Sequence, residues 1–98
     1  MKVELSQRAR SAAARISKRW SKHGDNPRLF AQELLNSLRH LRDVPNAGTP
    51  KGSETRPKLR RFLMEKSKCH LYFEIDEKRD LLKVISVWSG QREQEPKL

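Results

Sequence analysis

The stretch from Arg60 to Trp88 (RRFLMEKSKCHLYFEIDEKRDLLKVISVW) places the strongest constraint on the fold of this chain. Cys69, Leu71 and Phe73 alternate with polar residues, which indicates a strand with one buried face. The segment 81–88 is apolar at most positions and therefore predicts a central strand that is covered on both faces. Charged turns separate these segments from each other and from a cationic strand that precedes them. The predicted strands of this meander are 59–64, 69–75 and 81–88.

The N-terminal residues predict a short strand followed by a helix. Val3 and Leu5 alternate with charged neighbours, as residues of a half-buried strand do. Ser6 suits the N-cap of a helix that extends to Lys22. Gly24 suits the end of this helix because glycine enters the left-handed conformation without strain. The apolar stripe of the helix is Ala9, Ala13, Ile16 and Trp20.

A second helix is predicted directly after the first. Asn26 suits its N-cap and Pro27 its first position, where the missing N–H is of no consequence. Because the link between the helices is short, they are expected to form an antiparallel hairpin. We expect the hairpin to lie on the sheet face that carries Leu71 and Phe73. The apolar stripe of the second helix is Phe30, Leu34, Leu38 and Leu41.

These elements predict a single α+β domain with a helical hairpin packed on a small, mainly antiparallel sheet. A chain of 98 residues buries roughly 60–65% of its unfolded surface, so the core is thin and a bound partner would stabilise it. The predicted parts are a strand and hairpin at 1–42, a Pro- and Gly-containing loop at 43–57, a β-meander at 58–88 and a polar tail at 89–98.

The net charge of +10 is concentrated in two segments. Residues 1–22 carry seven Lys and Arg against one Glu, and residues 51–70 carry seven against two. Charge focused in this way favours a polyanionic partner, either a nucleic acid or an acidic protein segment. The alternative is a charged surface that serves solubility alone.

Several classes of protein are disfavoured by the sequence. No apolar run approaches the ~20 residues that cross a bilayer, and no signal-peptide core is evident near the N-terminus. Cys69 is the one cysteine, so the chain has neither an internal disulfide nor a cysteine-based zinc cluster. We therefore expect a protein of the reducing cytoplasm, without a membrane association, a metal site or a cofactor.

The order of elements and three stretches of sequence resemble the RelE/ParE toxin superfamily of bacterial type II toxin–antitoxin modules. The stretches are MKVELSQRA, HLRDVPNAGTP and the segment from Arg60 to Trp88, which looks like the basic strand, the [RH]-x-[VIL]-Y-[YF]-x-[VI]-D strand and the closing strand of that family. The resemblance implies a RelE/ParE-like fold and a plasmid-stabilisation type of toxin that an acidic antitoxin neutralises. Members of the family either cut mRNA on the ribosome, without a metal, or poison DNA gyrase.

The resemblance also implies candidate site residues. Arg61, His70 and Arg92 match or stand near positions of the catalytic set, with Arg61 and Arg92 stabilising charge and His70 moving a proton. The set is incomplete, since Leu63 and Gly90 stand where basic residues are expected. Residues predicted to bind nucleic acid or the antitoxin are Lys51, Arg56, Lys58, Arg60, Lys66, Lys68 and Tyr72.

Two readings of a different kind compete with an active toxin. The chain could be a catalytically degenerate homologue that still binds its antitoxin. It could also be a non-toxic basic module that binds nucleic acid through phosphate contacts. The second reading is disfavoured because Tyr72 is the one strong candidate on the predicted sheet for stacking a base, whereas RNA-binding sheets use two or three.

Overall fold

The computed structural model describes residues 1–23, 25–90 and 94–98. It contains two helices and five strands, with one turn of 3₁₀ helix at Pro45–Ala47. The elements in chain order are β1 (Lys2–Leu5), α1 (Gln7–His23), α2 (Leu29–Asp43), β2 (Thr49–Pro50), β3 (Arg60–Met64), β4 (Cys69–Asp76) and β5 (Leu81–Ser89). No helix among these residues has the length and apolar character needed to cross a membrane.

The five strands form one sheet in the order β1-β5-β4-β3-β2. Strand β1 pairs in parallel with β5, and every other pair is antiparallel. Strand β5 thus lies between β1 and β4, as its almost continuous apolar sequence predicted. The α+β class and the mainly antiparallel sheet are confirmed.

The helical hairpin covers one face of the sheet and encloses the main core there. Ile16 of α1 and Phe30 of α2 are fully buried together with Leu71 and Phe73 of β4. The hairpin therefore packs on the predicted face of β4. Gly48 approaches the same core so closely that a Cβ atom at this position would lie 2.5 Å from Cζ of Phe73.

Ser6 joins the start of α1 to the middle of β5. Its Oγ accepts a hydrogen bond from the N–H of Ala9 at 3.0 Å, which is the N-cap that the sequence predicted. The same hydroxyl donates to the carbonyl of Ile85 at 2.8 Å. The N–H of Ser6 donates to the carbonyl of Val84 at 2.9 Å. One residue thus satisfies backbone groups of two elements that are far apart in the chain.

The carbonyl of Ile85 belongs to a β-bulge. Tyr72 is paired with Ser86 and Phe73 with Val84, so Ile85 is an extra residue of β5 with no direct partner in β4. The bulge changes the alternation of side chains along β5. Val84 joins the core under the hairpin, whereas Ile85 is buried on the opposite face of the sheet.

Both predictions for the start of α2, the cap at Asn26 and the first helical position at Pro27, are wrong. Helix α2 begins at Leu29 rather than at Pro27, and Arg28 precedes it without a side-chain cap. Asn26 instead accepts the N–H of Leu29 at 3.1 Å through its carbonyl, in a turn that leads into the helix. The predicted end of α1 at Gly24 lies outside the described residues. The loop at 43–57 contains β2, which pattern analysis misses because it is only two residues long.

Replacing Ser6 with Ala should lower the free energy of unfolding by about 1–2 kcal/mol, because the N-cap bond is lost and the carbonyl of Ile85 loses its partner. Urea denaturation followed by circular dichroism measures the difference. Ser17→Ala, in the middle of α1, is the matched control and should leave stability unchanged or slightly raised. An equal response of the two variants would contradict the bridging role of Ser6.

Candidate functional site on the open face of the sheet

The face of the sheet away from the hairpin, called the open face below, carries two of the predicted catalytic residues. Directly opposed residues of antiparallel strands share a face. Arg61 is opposite Tyr72, and His70 lies between Leu63 of β3 and Trp88 of β5. Arg61 and His70 are therefore diagonal neighbours on adjacent strands, as the prediction required.

A small apolar cluster occupies the centre of the open face. Leu59, Tyr72 and Ile85 are buried there, and Trp88 and Leu98 pack against them. Tyr72 is only 3% exposed. Because its ring is covered, it does not offer a surface on which a base could stack in this state of the molecule. Its role in binding remains a prediction.

The segment 94–98 supplies the cover. The hydroxyl of Tyr72 donates a hydrogen bond to Oε1 of Glu95 at 2.8 Å. The same oxygen lies 3.8 Å from Nη1 of Arg61. The hydroxyl of Thr55 donates to the carbonyl of Leu98 at 3.3 Å. An acidic side chain of the chain itself thus lies beside a predicted catalytic cation.

Burial and the bond to Glu95 both raise the pKa of Tyr72, with burial the larger cause, and Arg61 opposes them. The phenol therefore stays protonated well above neutral pH and acts as a hydrogen-bond donor. A protonated phenol beside a guanidinium forms a pair of donors suited to one oxyanion.

His70 is held against Trp88. The two rings are stacked with their centroids 4.9 Å apart. Gly90 lies above the imidazole, since a Cβ atom there would be 3.2 Å from Nε2 of His70. Burial, and then the charge of Arg61, lowers the pKa of His70. The ring is therefore neutral at pH 7, so it accepts a proton but does not readily supply one.

The loop before β3 places two further predicted residues toward the open face. The backbone N–H of Lys51 donates to the carbonyl of Leu59 at 2.8 Å, which places Lys51 beside a residue of the open face, and the charge of Lys51 is a minor cause of the lowered pKa of His70. Arg56 forms an ion pair with Glu74 of β4 at 3.0 Å. Lys58 is exposed and borders a cleft with Glu74 and Lys83 at the other end of the sheet. Arg56 is consequently less available to an external anion than Lys51 is.

Arg60 does not share the cleft of Arg61 and His70. It is opposite Phe73, on the side of the sheet that the helices cover. Its Nη2 donates to the carbonyl of Asn46 at 3.3 Å and to that of Gly48. Adjacent residues of a strand point to opposite faces, which explains the separation. Arg60 thus fastens the turn after α2 to the sheet.

The remaining predicted residues lie at the edge of the site or outside the described structure. Lys66 and Lys68 are exposed in the turn between β3 and β4. This turn is held by Glu33 of α2, whose carboxylate accepts the backbone N–H groups of Lys66 and Ser67 at 2.8 Å each. Arg92 lies outside the described residues. Within residues 1–23, 25–90 and 94–98, no group of His, Cys, Asp and Glu side chains has the arrangement of a metal site.

Sequence reasoning missed two contributions to the site. Arg8 and Arg15 of α1 line a cleft with Trp88 and Pro96, so part of the N-terminal basic segment borders the open face. Glu95 is the second contribution. Its only signal in the sequence is an acidic residue followed three positions later by a large apolar one, in a tail that is otherwise polar.

Replacing His70 with Gln should reduce the loss of stability on acidification. The lowered pKa means that the unfolded chain takes up the proton first as the pH falls. The stability contributed by neutral His70 is thus complete above about pH 6.5 and is lost progressively below it. Urea denaturation at pH 7.5 and 5.0 measures the slope. His23→Gln, at the exposed end of α1, should keep the wild-type slope, and a wild-type slope in His70→Gln would refute the assignment.

Comparison with known proteins gives a structural answer only. No known family profile matches the chain, and no curated protein sequence matches it. Several solved structures do. The chain is similar to the chromosomal ParDE toxin–antitoxin system from P. aeruginosa, with 16% identity and a TM-score of 0.70 over 91% of this chain and 95% of that one.

Two further matches are an isolated RelE toxin and a RelBE2 toxin–antitoxin complex. The isolated E. coli RelE toxin has 21% identity and a TM-score of 0.61 over 95% of this chain and 87% of that one. The RelBE2 toxin–antitoxin complex from Mycobacterium tuberculosis has 17% identity and a TM-score of 0.63 over 88% and 86%. The chain therefore has the fold of the RelE/ParE toxin superfamily, as its sequence resemblance implied.

Proposed function

We propose that this protein is the toxin of a type II toxin–antitoxin module and that an acidic antitoxin neutralises it by binding its basic surface. The fold supports the class of protein. The observation that carries the proposal is the contact of Glu95 with Tyr72 and Arg61, because it identifies an oxyanion site on the open face. A carboxylate of an antitoxin would use the same two donors.

The surface around this site suits an acidic peptide that folds as it binds. The net charge of +10 attracts such a segment, and charge pairing offsets part of the cost of ordering it. Leu63 is 44% exposed on the same face. Burial of this side chain would add an apolar contact to the polar ones. The partner would also supply stability that the thin core lacks.

The described residues of the open face favour action by binding over cleavage of RNA. Cleavage through the 2′-hydroxyl requires a proton acceptor, a group that stabilises the phosphorane and a proton donor for the leaving oxygen. Arg61 could stabilise charge, and neutral His70 could accept a proton. On this face, none of the described residues 1–23, 25–90 and 94–98 is suited to supply a proton to the leaving oxygen. We therefore favour DNA gyrase over the ribosome as the target, both of which lie in the cytoplasm.

A plain RNA-binding sheet receives less support. Tyr72 is buried, and the half-buried Trp88 has its ring stacked on His70. The described part of the open face therefore lacks the two or three fully exposed aromatic rings on which such sheets stack bases. A degenerate toxin that only binds antitoxin shares the same surface, so an assay of toxicity is required to separate it from an active one.

Expression of the wild-type chain should arrest bacterial growth, and co-expression of the small acidic protein encoded next to it should restore growth. Arg61→Gln should weaken the arrest, because the oxyanion site loses its cation. Lys78→Gln removes the same charge from the exposed turn between β4 and β5 and should remain toxic. Colony counts after induction, with protein levels checked by immunoblot, measure both effects. Normal growth with wild-type protein present would refute the proposal.

The target is tested with purified protein. We expect cleaved plasmid to accumulate with DNA gyrase and ATP, and transcripts to stay intact with translating ribosomes. Arg61→Gln should reduce plasmid cleavage by about tenfold, which corresponds to about 1.4 kcal/mol and lies near the lower end of the range for a hydrogen bond to a charged group, whereas Lys78→Gln should not. Cuts in the ribosomal A site that disappear in His70→Ala would instead establish a ribonuclease and overturn the preference for gyrase.

A further inference from the structure

The C-terminal segment 94–98 lies on the open face as a short bound peptide would. Its two anchors are Glu95, which contacts Tyr72 and Arg61, and Leu98, which packs on the apolar cluster of the open face. Thr55 holds the carbonyl of Leu98 at 3.3 Å. The segment therefore presents a carboxylate and, three residues later, a large apolar side chain to a matched pair of subsites.

The chemistry of the first subsite favours a carboxylate. The phenol of Tyr72 donates a 2.8 Å hydrogen bond, and the guanidinium of Arg61 adds charge at 3.8 Å. Both groups act on one oxygen, Oε1 of Glu95, the phenol through a hydrogen bond and the guanidinium through its charge alone. The second subsite is a floor of Leu59, Tyr72 and Ile85, which suits the side chain of a leucine. Together the two subsites fit an extended acidic peptide better than a nucleic acid, which carries no aliphatic side chain.

The contacts that hold the segment are weak enough for a partner to displace it. The side chain of Glu95 is 59% exposed and that of Arg61 is 28% exposed. An ion pair of this exposure at 3.8 Å contributes little in water. The hydrogen bond from Tyr72 is the stronger contact, since its acceptor is charged and its donor is buried. The segment thus competes with a partner without permanently closing the site.

We propose that residues 94–98 are an intramolecular ligand of the open face, occupying a two-subsite groove for an acidic peptide whose carboxylate is followed three residues later by a large apolar side chain. The inference relies on the proposed function only for the source of that peptide, the antitoxin. Binding of a peptide and toxicity are separate measurements, so the two proposals can fail independently.

Docking of the segment is tested first, without any partner. Tyr72 is the only tyrosine, so an ultraviolet titration of phenol ionisation reports on it alone. Because the bond to Glu95 helps to raise the pKa of Tyr72, Glu95→Gln should lower this pKa toward its ordinary value. Glu77→Gln removes an equal charge from the exposed turn between β4 and β5 and should titrate as the wild type does. Identical titrations of wild type and Glu95→Gln would overturn the inference.

Competition is tested with a synthetic peptide of sequence QEPKL, the sequence of residues 94–98, added to the full-length protein. Its affinity, measured by NMR titration, should rise about fivefold or more in Glu95→Gln, because the internal competitor is weakened. It should not rise in Glu77→Gln. The peptide QQPKL should bind less tightly than QEPKL to Glu95→Gln.

Three results would count against the groove. Equal affinity of QEPKL for wild type and Glu95→Gln would show that the segment does not compete. Equal affinity of QEPKL and QQPKL for Glu95→Gln would show that the first subsite does not distinguish a carboxylate from an amide. A 12-nucleotide single-stranded RNA that gains affinity in Glu95→Gln while QEPKL does not would show that the site serves phosphate and would overturn the assignment to a peptide.

Discussion

The hydroxyl of Ser6 bonds two parts of the molecule on which the site depends. It accepts the N–H of Ala9 and donates to the carbonyl of Ile85, which joins the first turn of α1 to the bulge of β5. The bulge in turn determines which side chains of β5 lie on each face of the sheet. Because Ile85 is the extra residue, Val84 and Val87 both lie under the helices although they are three positions apart, and Ile85 is added to the apolar floor of the open face.

The two faces of the sheet are covered in different ways, and this difference separates structure from binding. The helical hairpin covers one face with a continuous apolar core. The other face is covered by a five-residue segment that is held by a hydrogen bond from a buried phenol, a hydrogen bond from Thr55, one long ion pair and one leucine. The helical hairpin packs on the sheet as the chain folds, whereas residues 94–98 are held weakly enough to be displaced by a partner. A basic surface with a replaceable cover is what the proposed binding of an acidic antitoxin requires.

Arg60 and Arg61 illustrate how far the candidate site could be predicted. A cluster of cations next to a β-pattern predicted an anion site, and Arg61 and His70 do share a face. Arg60 lies on the opposite face, because successive residues of a strand point to opposite faces. The hydrogen bonds from Arg60 to the turn at Gly48 could not be predicted from the sequence, because they depend on where the end of α2 lies over the sheet.

The local patterns of the chain alone determined most of its elements. Alternation predicted β4, a nearly continuous apolar run predicted β5, periodicity 3.6 predicted both helices, and Ser6 marked the start of α1, because each of these signals arises from residues that are neighbours in the chain. Only the tertiary structure decided the bulge at Ile85, the pairing of Arg56 with Glu74 and the position of Glu95 beside Tyr72. These features depend on strand register and on contacts between distant segments, for which a single sequence carries no periodic signal.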